Sequence, residues 1–561
     1  MTLPGGRSPA AGRAGRAGAG IAGGAAVIAA LTVASRVAGF GRVAVFSRTV
    51  EDGNPTCVAT VYQSANTVPN IVFEVVAGGA LASLVVPLLA GALARGDREE
   101  ASRTASALLC WTLTVLVPLA LLGLLVAEPI MRFLLAASGE ICNAAVATGV
   151  RMLFYFLPQL PLYGIAVVLG GVLNAQRRFL LPALAPLLSS LTVATAYLAF
   201  ALVVPAGGRQ DLTRLDLASD LALAGGTTLG VLVLAGCLLP AVARSGLRLR
   251  PSWRFPRGLA TRAGTLAGAG VATLAAQQVS ILVVVRLANG SGSPGAYPAY
   301  TYAWTLFLLP WAVLAVPVAT SAFPRLSAAA QEGGAAGIAA LSAVTTRAVV
   351  TLSALGGAGL AAIAMPVARL FRQSAPGDLA LALVAFAPGL VGYGVIALVG
   401  RALFAADRGR ASAAAVVVGW LVVIVADVAL VAVFPTERTV TALGLGNSIG
   451  MTVGGALLLR ALRRAAGPAA LAGVFRSGTV AIPAGALAGA AGARAADLVG
   501  GNVSGSAVVV SLAVAALAGG VALVVFAAVV ALLDRRTLTD AVARLRRRKA
   551  QQVFGEGDAR A

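Results

Sequence analysis

Residues 156–178 read FLPQLPLYGIAVVLGGVLNAQRR, and residues 386–408 read FAPGLVGYGVIALVGRALFAADR. Each stretch contains a proline, then a Tyr-Gly pair in an apolar run, and ends on a basic residue. At a constant offset of 230 residues, the two stretches share the pairs Phe156/Phe386, Pro158/Pro388, Tyr163/Tyr393, Gly164/Gly394, Gly170/Gly400, Leu173/Leu403, Ala175/Ala405 and Arg178/Arg408. Further upstream, Pro87 corresponds to Pro324. These matches predict an internal repeat.

The composition is that of a protein embedded in lipid. Of its 561 residues, 59% are hydrophobic and only 11% are charged, with a mean hydropathy of +0.90. A soluble protein carries roughly a quarter charged residues. A transmembrane helix needs about 20 apolar residues. By this measure the sequence predicts an all-α polytopic membrane protein with about fourteen transmembrane helices, centred near residues 34, 76, 115, 158, 192, 229, 275, 310, 354, 394, 423, 450, 487 and 520.

The basic residues indicate the orientation of these spans. Lys and Arg number 43 against 21 Asp and Glu, a net charge of +22. The arginines concentrate before span one, after spans two, four, six, ten and twelve, and in the tail after span fourteen. Cytoplasmic loops carry such an excess, so we predict a multi-pass plasma-membrane protein with both termini in the cytoplasm. Because the basic residues lie in short loops between apolar runs, we predict no nucleic-acid partner.

The repeat offset skips an even number of spans, so the two copies share one orientation. We predict two parallel six-helix repeats plus two C-terminal helices, an arrangement typical of alternating-access carriers. The predicted regions are a disordered cytoplasmic N-terminus at 1–20, an N-lobe at 21–243, a basic cytoplasmic linker at 244–261, a C-lobe at 262–465, the last two spans at 466–534 and a basic cytoplasmic tail at 535–561.

The chain contains no His and four Cys, with no CxxC pair. His is the commonest proton shuttle and metal ligand, and we predict neither a metal nor a cofactor. We also predict that the protein is not an enzyme, since carboxylates do not cluster at a predicted membrane face. Cys57 and Cys142 fall in or beside predicted external loops, where a disulfide is compatible with the compartment. The sequence leaves open whether they are bonded.

Span one carries two arginines that suit an anionic substrate. Six helical residues place Arg36 and Arg42 about 9 Å apart along the axis, and each guanidinium can bind phosphate oxygens through two hydrogen bonds. Such a pair lining a water-filled cavity would fit a diphosphate. The alternative is that Arg42 reaches to an interface and Arg36 pairs with Glu74.

Span two carries a polar stripe. Gln63, Asn66, Asn70 and Glu74 recur at helical spacing, so they share one helix face. We predict that this face borders a cavity or a partner helix. Since Asn70 follows Pro69, where a helix can break, a structural capping role is the alternative.

Two further ionisable groups lie in predicted spans, where charge is costly and usually marks a pathway or a buried pair. Arg286 in span seven lies close to the outer boundary, so cavity lining and extension to the interface both fit. Asp427 in span eleven fits either a coupling cation or a partnership with an arginine.

These segments resemble the MurJ/MviN family of lipid II flippases, within the superfamily that includes polysaccharide flippases and MATE drug exporters. The resemblance covers about 20–535 and rests on SRVAGFGR at 35–42, ANTVPN at 65–70, GGALASLVVPLLA at 78–90 and LPQLPLYGIAVVLGGVLNAQRRFLLPALAP at 157–186. It implies a diphosphate held near cationic residues in a central cavity, with the lipid tail in a groove by the last two spans. Arg36 and Arg42 match the span-one arginines of the family.

Four positions depart from the family pattern. The second arginine is followed by Val43 rather than Asp, and Phe73-Glu74 replaces an arginine pair. Gly78 replaces an acidic residue, and Trp304-Thr305 replaces Asp-Arg. The cationic cavity would therefore contain two matched arginines, supplemented by Arg286.

Together these features predict a flippase for an undecaprenyl-diphosphate-linked saccharide, with lipid II the first candidate, working by alternating access. The predicted substrate-binding residues are Arg36, Arg42, Asn66, Asn70, Glu74 and Arg286. Predicted partners are the lipid-linked saccharide, membrane lipids and the cell-wall synthesis machinery. The alternatives are a flippase for another lipid-linked polysaccharide, a cation-coupled drug antiporter relying on Glu74 and Asp427, and a non-transporting scaffold that docks through its basic tail.

Overall fold

A computed structural model describes residues 10–51, 56–75, 82–135, 142, 144–209, 211–254, 259–291, 295–371, 376–500 and 508–533. Within these residues the chain is helical and contains no β-strand. The predicted tail at 535–561 and Gly78 lie outside the described residues. The all-α polytopic class is confirmed.

The first half of the chain forms eleven helices among the described residues. They are α1 (Ala10–Thr49), α2 (Cys57–Phe73), α3 (Ala82–Ala94), α4 (Arg98–Leu125), α5 (Ala127–Leu135), α6 (Ala145–Phe156), α7 (Gln159–Ala175), α8 (Leu180–Val203), α9 (Leu217–Asp220), α10 (Gly226–Gly236) and α11 (Leu239–Ala243).

The second half adds ten helices, again among the described residues. They are α12 (Leu259–Ser291), α13 (Ala296–Pro310), α14 (Val316–Ala362), α15 (Ala364–Leu370), α16 (Pro376–Phe386), α17 (Gly389–Ala405), α18 (Gly409–Val433), α19 (Thr439–Ala466), α20 (Val474–Gly500) and α21 (Val508–Leu533).

The described residues contain 10 helical runs long and apolar enough to cross a membrane, or 11 if the bent pair α16–α17 is one span. The predicted count of fourteen is therefore not confirmed. One of the ten runs is Ala296–Ala362, 67 residues long, with non-helical geometry at Gly334. It contains both predicted spans eight and nine. Predicted span two is divided between α2 and α3 by residues 76–81, which lie outside the described residues.

The two copies of the repeat break their helices at corresponding prolines, which the predicted span centred near residue 158 did not anticipate. Pro158 and Pro388 immediately precede α7 and α17, which are both 17 residues long. A proline cannot donate its backbone nitrogen and clashes with the preceding turn, so both copies restart their helix there. Both restarted helices also end alike. Two residues past each helix, Arg177 (φ 60°) and Asp407 (φ 56°) adopt the left-handed backbone conformation.

This shared ending is a Schellman motif. The backbone N–H of Arg178 donates to the Leu173 carbonyl, and that of Arg408 to the Leu403 carbonyl, both at 2.8 Å. The motif turns the chain sharply from α7 into α8 and from α17 into α18. It therefore sets Arg178 and Arg408 at equivalent positions in the two halves.

Glycines allow α18 and α19 to cross in backbone contact. A Cβ added to Gly450 would lie 2.7 Å from the Gly419 carbonyl oxygen, and one added to Gly419 would lie 3.1 Å from Cα of Gly454. Small residues at helix crossings permit such close approach inside a membrane. Larger residues at these positions would force the two helices apart.

The linker after α11 runs extended along α4. Backbone N–H groups of Arg248, Arg250 and Ser252 donate to the side chains of Ser102, Ser106 and Cys110 at 3.1, 3.0 and 3.3 Å. Two extended residues advance about 6.6 Å and four helical residues advance about 6 Å. The spacing of the donors on the linker therefore matches the spacing of the acceptors on α4. The Trp253 indole continues the series by donating to Thr114 Oγ1 at 2.9 Å. We call residues 246–253 the strap.

The start of α1 differs from the prediction. Residues 10–20, predicted to be disordered, are helical as the start of α1. Alanine has the highest helix propensity, and extending an existing helix costs far less than starting one.

Cys57 and Cys142 form a disulfide that joins α2 to the segment before α6, with 5.7 Å between their Cα atoms.

Candidate functional site

The two halves are joined at the end opposite the arginine-rich loops. Asn289 on α12 donates through Nδ2 to Ser64 Oγ at 2.8 Å and to the Leu134 carbonyl at 3.0 Å. The hydroxyls of Thr67 and Tyr297 are 2.5 Å apart. These contacts connect α2 and α5 of the first half to α12 and α13 of the second. The halves are thus held together at this end of the molecule.

Helix α1 carries Arg36 and Arg42. Arg36 is exposed and Arg42 is half-buried. Among the described residues, neither forms an ion pair, so the alternative pairing of Arg36 with Glu74 is wrong. Arg42 lies close enough to the hydroxyls of Tyr62, Tyr163 and Tyr197 to interact with them electrostatically. Its guanidinium therefore faces a region rich in tyrosine.

The polar stripe of α2 turns towards the same region. The Tyr163 hydroxyl donates to Asn70 Oδ1 at 3.3 Å, and Oδ1 of Asn66 is buried with no hydrogen-bond partner among the described residues. The helix continues through Pro69, and the N–H of Glu74 bonds the carbonyls of Asn70 and Ile71. Asn70 is therefore an interior helical residue, and the capping alternative is wrong.

Glu74, at the end of α2, interacts electrostatically with corresponding residues of the two halves. Its exposed carboxylate interacts electrostatically with Tyr163 on α7 and with Tyr393 on α17. These two tyrosines are partners in the repeat. The ring of Phe73 packs on the Tyr163 ring with centroids 4.3 Å apart. The end of α2 thus approaches both halves of the molecule.

Aromatic rings dominate the second-half side of this region. Trp304 on α13 has ring neighbours at 5.3 Å (Phe307), 6.3 Å (Tyr393) and 6.4 Å (Trp420). Tyr393 also packs against Trp311 at 4.9 Å. Trp304, which stands where the resembling family has a charged pair, is therefore packed into an aromatic cluster. Its environment is apolar rather than cationic.

Arg286 and Asp427 lie apart from the α1 and α2 residues in the chain. Arg286 is half-buried on α12, three residues before Asn289, and forms no ion pair within the described residues. Asp427 is 1% exposed, and neither carboxylate oxygen has a hydrogen-bond partner among the described residues. Of the two alternatives for Asp427, the arginine partner is therefore absent from that part of the chain, and the coupling cation stays a prediction.

Sequence reasoning missed Tyr163 and Tyr393 as site residues. Both were visible as matched positions of the repeat, which is the signal that could have found them. Structure alone brings Asn70, Glu74 and Arg42 into range of Tyr163. Of the predicted residues, these three converge, whereas nothing in the described contacts joins Arg36 or Arg286 to them.

Residues 55–499 match the family model described as lipid II flippase MurJ. The match begins after α1, so Arg36 and Arg42 lie outside it. A probable lipid II flippase MurJ from Rhizobium meliloti is 26% identical over 341 residues, covering 60% of this chain and 61% of the relative. The chain spans 54% and 61% of the lengths of two curated relatives that it matches.

Two solved structures share the fold. A lipid II flippase MurJ in an inward closed conformation has a TM-score of 0.66 at 16% identity, covering 89% of this chain and 98% of that one. An inward-facing MATE family multidrug transporter has a TM-score of 0.63 at 14% identity, covering 78% and 96%. At these identities the likeness establishes the architecture alone.

Proposed function

The chain belongs to the MurJ family of lipid II flippases, and on that premise we propose that it moves lipid II from the cytoplasmic to the outer leaflet of the plasma membrane. Lipid II is an undecaprenyl-diphosphate-linked cell-wall precursor. The cycle is one of alternating access, with both termini in the cytoplasm. The protein acts as a transporter and not as a catalyst of a chemical reaction.

The observation that carries this proposal is the meeting of both halves at Glu74. Its carboxylate interacts electrostatically with the repeat partners Tyr163 and Tyr393, and Arg42 on α1 interacts with Tyr163 in the same way. A site shared by two parallel repeats changes its access when one repeat rocks against the other. The contacts of Asn289 and Thr67 keep the halves together at the outer end, which supports a resting state closed to the outside.

The site residues supply the chemistry that a lipid-linked diphosphate requires. Arg36 and Arg42 would bind its phosphate oxygens, because guanidinium groups pair with them through two parallel hydrogen bonds. The unpartnered Oδ1 of Asn66 would accept a hydrogen bond from a saccharide hydroxyl. Moving two negative charges outward gains about 4.6 kcal/mol per 100 mV of inside-negative potential, so the membrane potential alone can drive export.

A second candidate cargo is another undecaprenyl-diphosphate-linked saccharide. Phe73 and Trp304 support it. At both positions the family carries a charged residue, and this chain has a packed aromatic ring instead. The diphosphate would bind in the same way, while the part of the site that contacts the headgroup would differ. Cargo assays with both lipids distinguish the two candidates.

Depletion of a cell's native lipid II flippase, with this chain expressed in its place, tests the proposal. We expect growth and surface-exposed lipid II to be restored by the natural sequence and by Arg410→Ala, an exposed arginine on α18. We expect Arg36→Ala to fail while inserting normally. Loss of rescue on deletion of 535–561, with transport intact in vesicles, would indicate a scaffold instead.

A further inference from the structure

A groove opens between α18 and α19 at the arginine-rich end of the molecule. Its volume is about 610 Å³. It adjoins the glycine crossing at Gly419 and Gly454, because Val418 and Leu457 belong to its lining. The apolar lining comes from one face of each helix, namely Ala411, Ala414, Ala415 and Val418 of α18 and Leu457, Ala461 and Ala465 of α19.

Three arginines surround this groove. Arg408 stands at the start of α18, and Arg460 and Arg464 lie one turn apart on α19. All three are exposed. Within the described part of the chain none forms an ion pair, and the adjacent Asp407 pairs with none of them. The groove therefore combines an apolar floor with a rim of uncompensated positive charge.

We propose that this groove binds an anionic glycerophospholipid, with its phosphate on Arg408, Arg460 and Arg464 and an acyl chain along the alanine-lined floor. Basic pockets between transmembrane helices on the cytoplasmic side attract anionic lipid headgroups. Guanidinium groups suit a phosphate because they present paired donors. The N-terminus of α18 adds a partial positive charge at the same end.

The occupant must have both a negative charge and an acyl chain. A soluble phosphate would leave the apolar floor exposed to water, while a zwitterionic lipid would leave the three arginines uncompensated. The groove also lies on α18 and α19, away from the α1 and α2 residues proposed to hold the transported lipid. Its occupant would remain bound while the transported lipid comes and goes.

The test is native mass spectrometry of the full chain, purified in a non-ionic detergent, with dioleoyl phosphatidylglycerol or dioleoyl phosphatidylcholine added. We expect phosphatidylglycerol adducts to exceed phosphatidylcholine adducts. Replacing Arg408, Arg460 and Arg464 together by Gln should weaken phosphatidylglycerol binding at least about tenfold. The matched control is Arg410→Gln with Arg463→Gln, exposed arginines of the same two helices outside the groove, and it should bind normally.

A second variant separates loss of the site from loss of the fold. Ala414→Phe keeps all three arginines but fills the exposed floor, and should also weaken phosphatidylglycerol binding. Arg36→Ala should leave that binding unchanged, since it alters only the proposed transport site. Equal binding of the two lipids, equal losses in the groove and control variants, or displacement of the lipid by sn-glycerol 1-phosphate would each overturn the proposal.

Discussion

Tyr163 on α7 donates its hydroxyl hydrogen to Oδ1 of Asn70 on α2, at 3.3 Å. The bond joins two helices of the first half across 93 residues of sequence. It also orients the Asn70 carboxamide in the half-buried region where Arg42 and Glu74 act on the same tyrosine. Tyr163 is thus the residue through which the α1 and α2 parts of the proposed site are connected.

Removal of this hydroxyl should weaken transport without unfolding the chain. A neutral hydrogen bond contributes about 1 kcal/mol, so Tyr163→Phe should slow lipid II translocation roughly fivefold. Tyr155→Phe on α6 is the matched control, because the Tyr155 hydroxyl forms no hydrogen bond among the described residues while its ring packs against the core. Equal translocation rates for both variants and the natural sequence would mean that orienting Asn70 through this hydrogen bond plays no part in transport.

Neutralising Glu74 should strengthen substrate binding. A carboxylate near the proposed diphosphate position repels its negative charge. Glu74→Gln should therefore lower the lipid II concentration needed for half-maximal transport, by several-fold. The control is Glu128→Gln, whose exposed carboxylate pairs with Arg132 on the same helix. An increase in that concentration would mean that Glu74 assists binding instead.

The disulfide should be detectable by counting thiols. Under denaturing, non-reducing conditions a maleimide should label two cysteines, Cys110 and Cys237, and after reduction it should label all four. Because the bridge closes a long segment, with a sequence separation of 85, Cys57→Ser should lower the midpoint of thermal unfolding. Labelling of all four cysteines without reduction would exclude the bridge in the isolated protein.

The strap should detach when its acceptors on α4 are removed. Ser102→Ala with Ser106→Ala deletes two of its hydrogen bonds, each contributing about 1 kcal/mol. Trypsin should then cleave after Arg248 or Arg250 about tenfold faster or more, since cleavage requires local opening. The control is Thr345→Ala, whose hydroxyl bonds only carbonyls of its own helix. Unchanged cleavage would mean that the strap is held by other contacts.

Local features of the structure could be predicted from the sequence. The hydrophobic runs predict an all-helical membrane protein. The helix breaks at Pro158 and Pro388 were not predicted, although the effect of a proline on the backbone is local. Asn66 and Asn70 share a face of α2 because helical spacing is regular, and Glu74 caps the same helix.

Long-range relationships could not be predicted. The Tyr163–Asn70 bond and the pairing of strap with α4 depend on which helices become neighbours, and no local pattern specifies that. The alternative ion pairs of Arg36 with Glu74 and of Asp427 with an arginine are absent from the described residues for the same reason, since composition indicates that a buried charge needs compensation but not where it will be found. The groove between α18 and α19 depends on how two helices pack next to a glycine crossing.

The most direct test is reconstitution of the full chain in liposomes with labelled lipid II and an imposed membrane potential. We expect translocation by the natural sequence and by Arg410→Ala, and at least a tenfold slower rate for Arg36→Ala, because charged hydrogen bonds contribute about 1.5–3 kcal/mol. Equal rates for Arg36→Ala and Arg410→Ala would contradict a diphosphate site on α1. No translocation by the natural sequence would contradict the proposed activity itself.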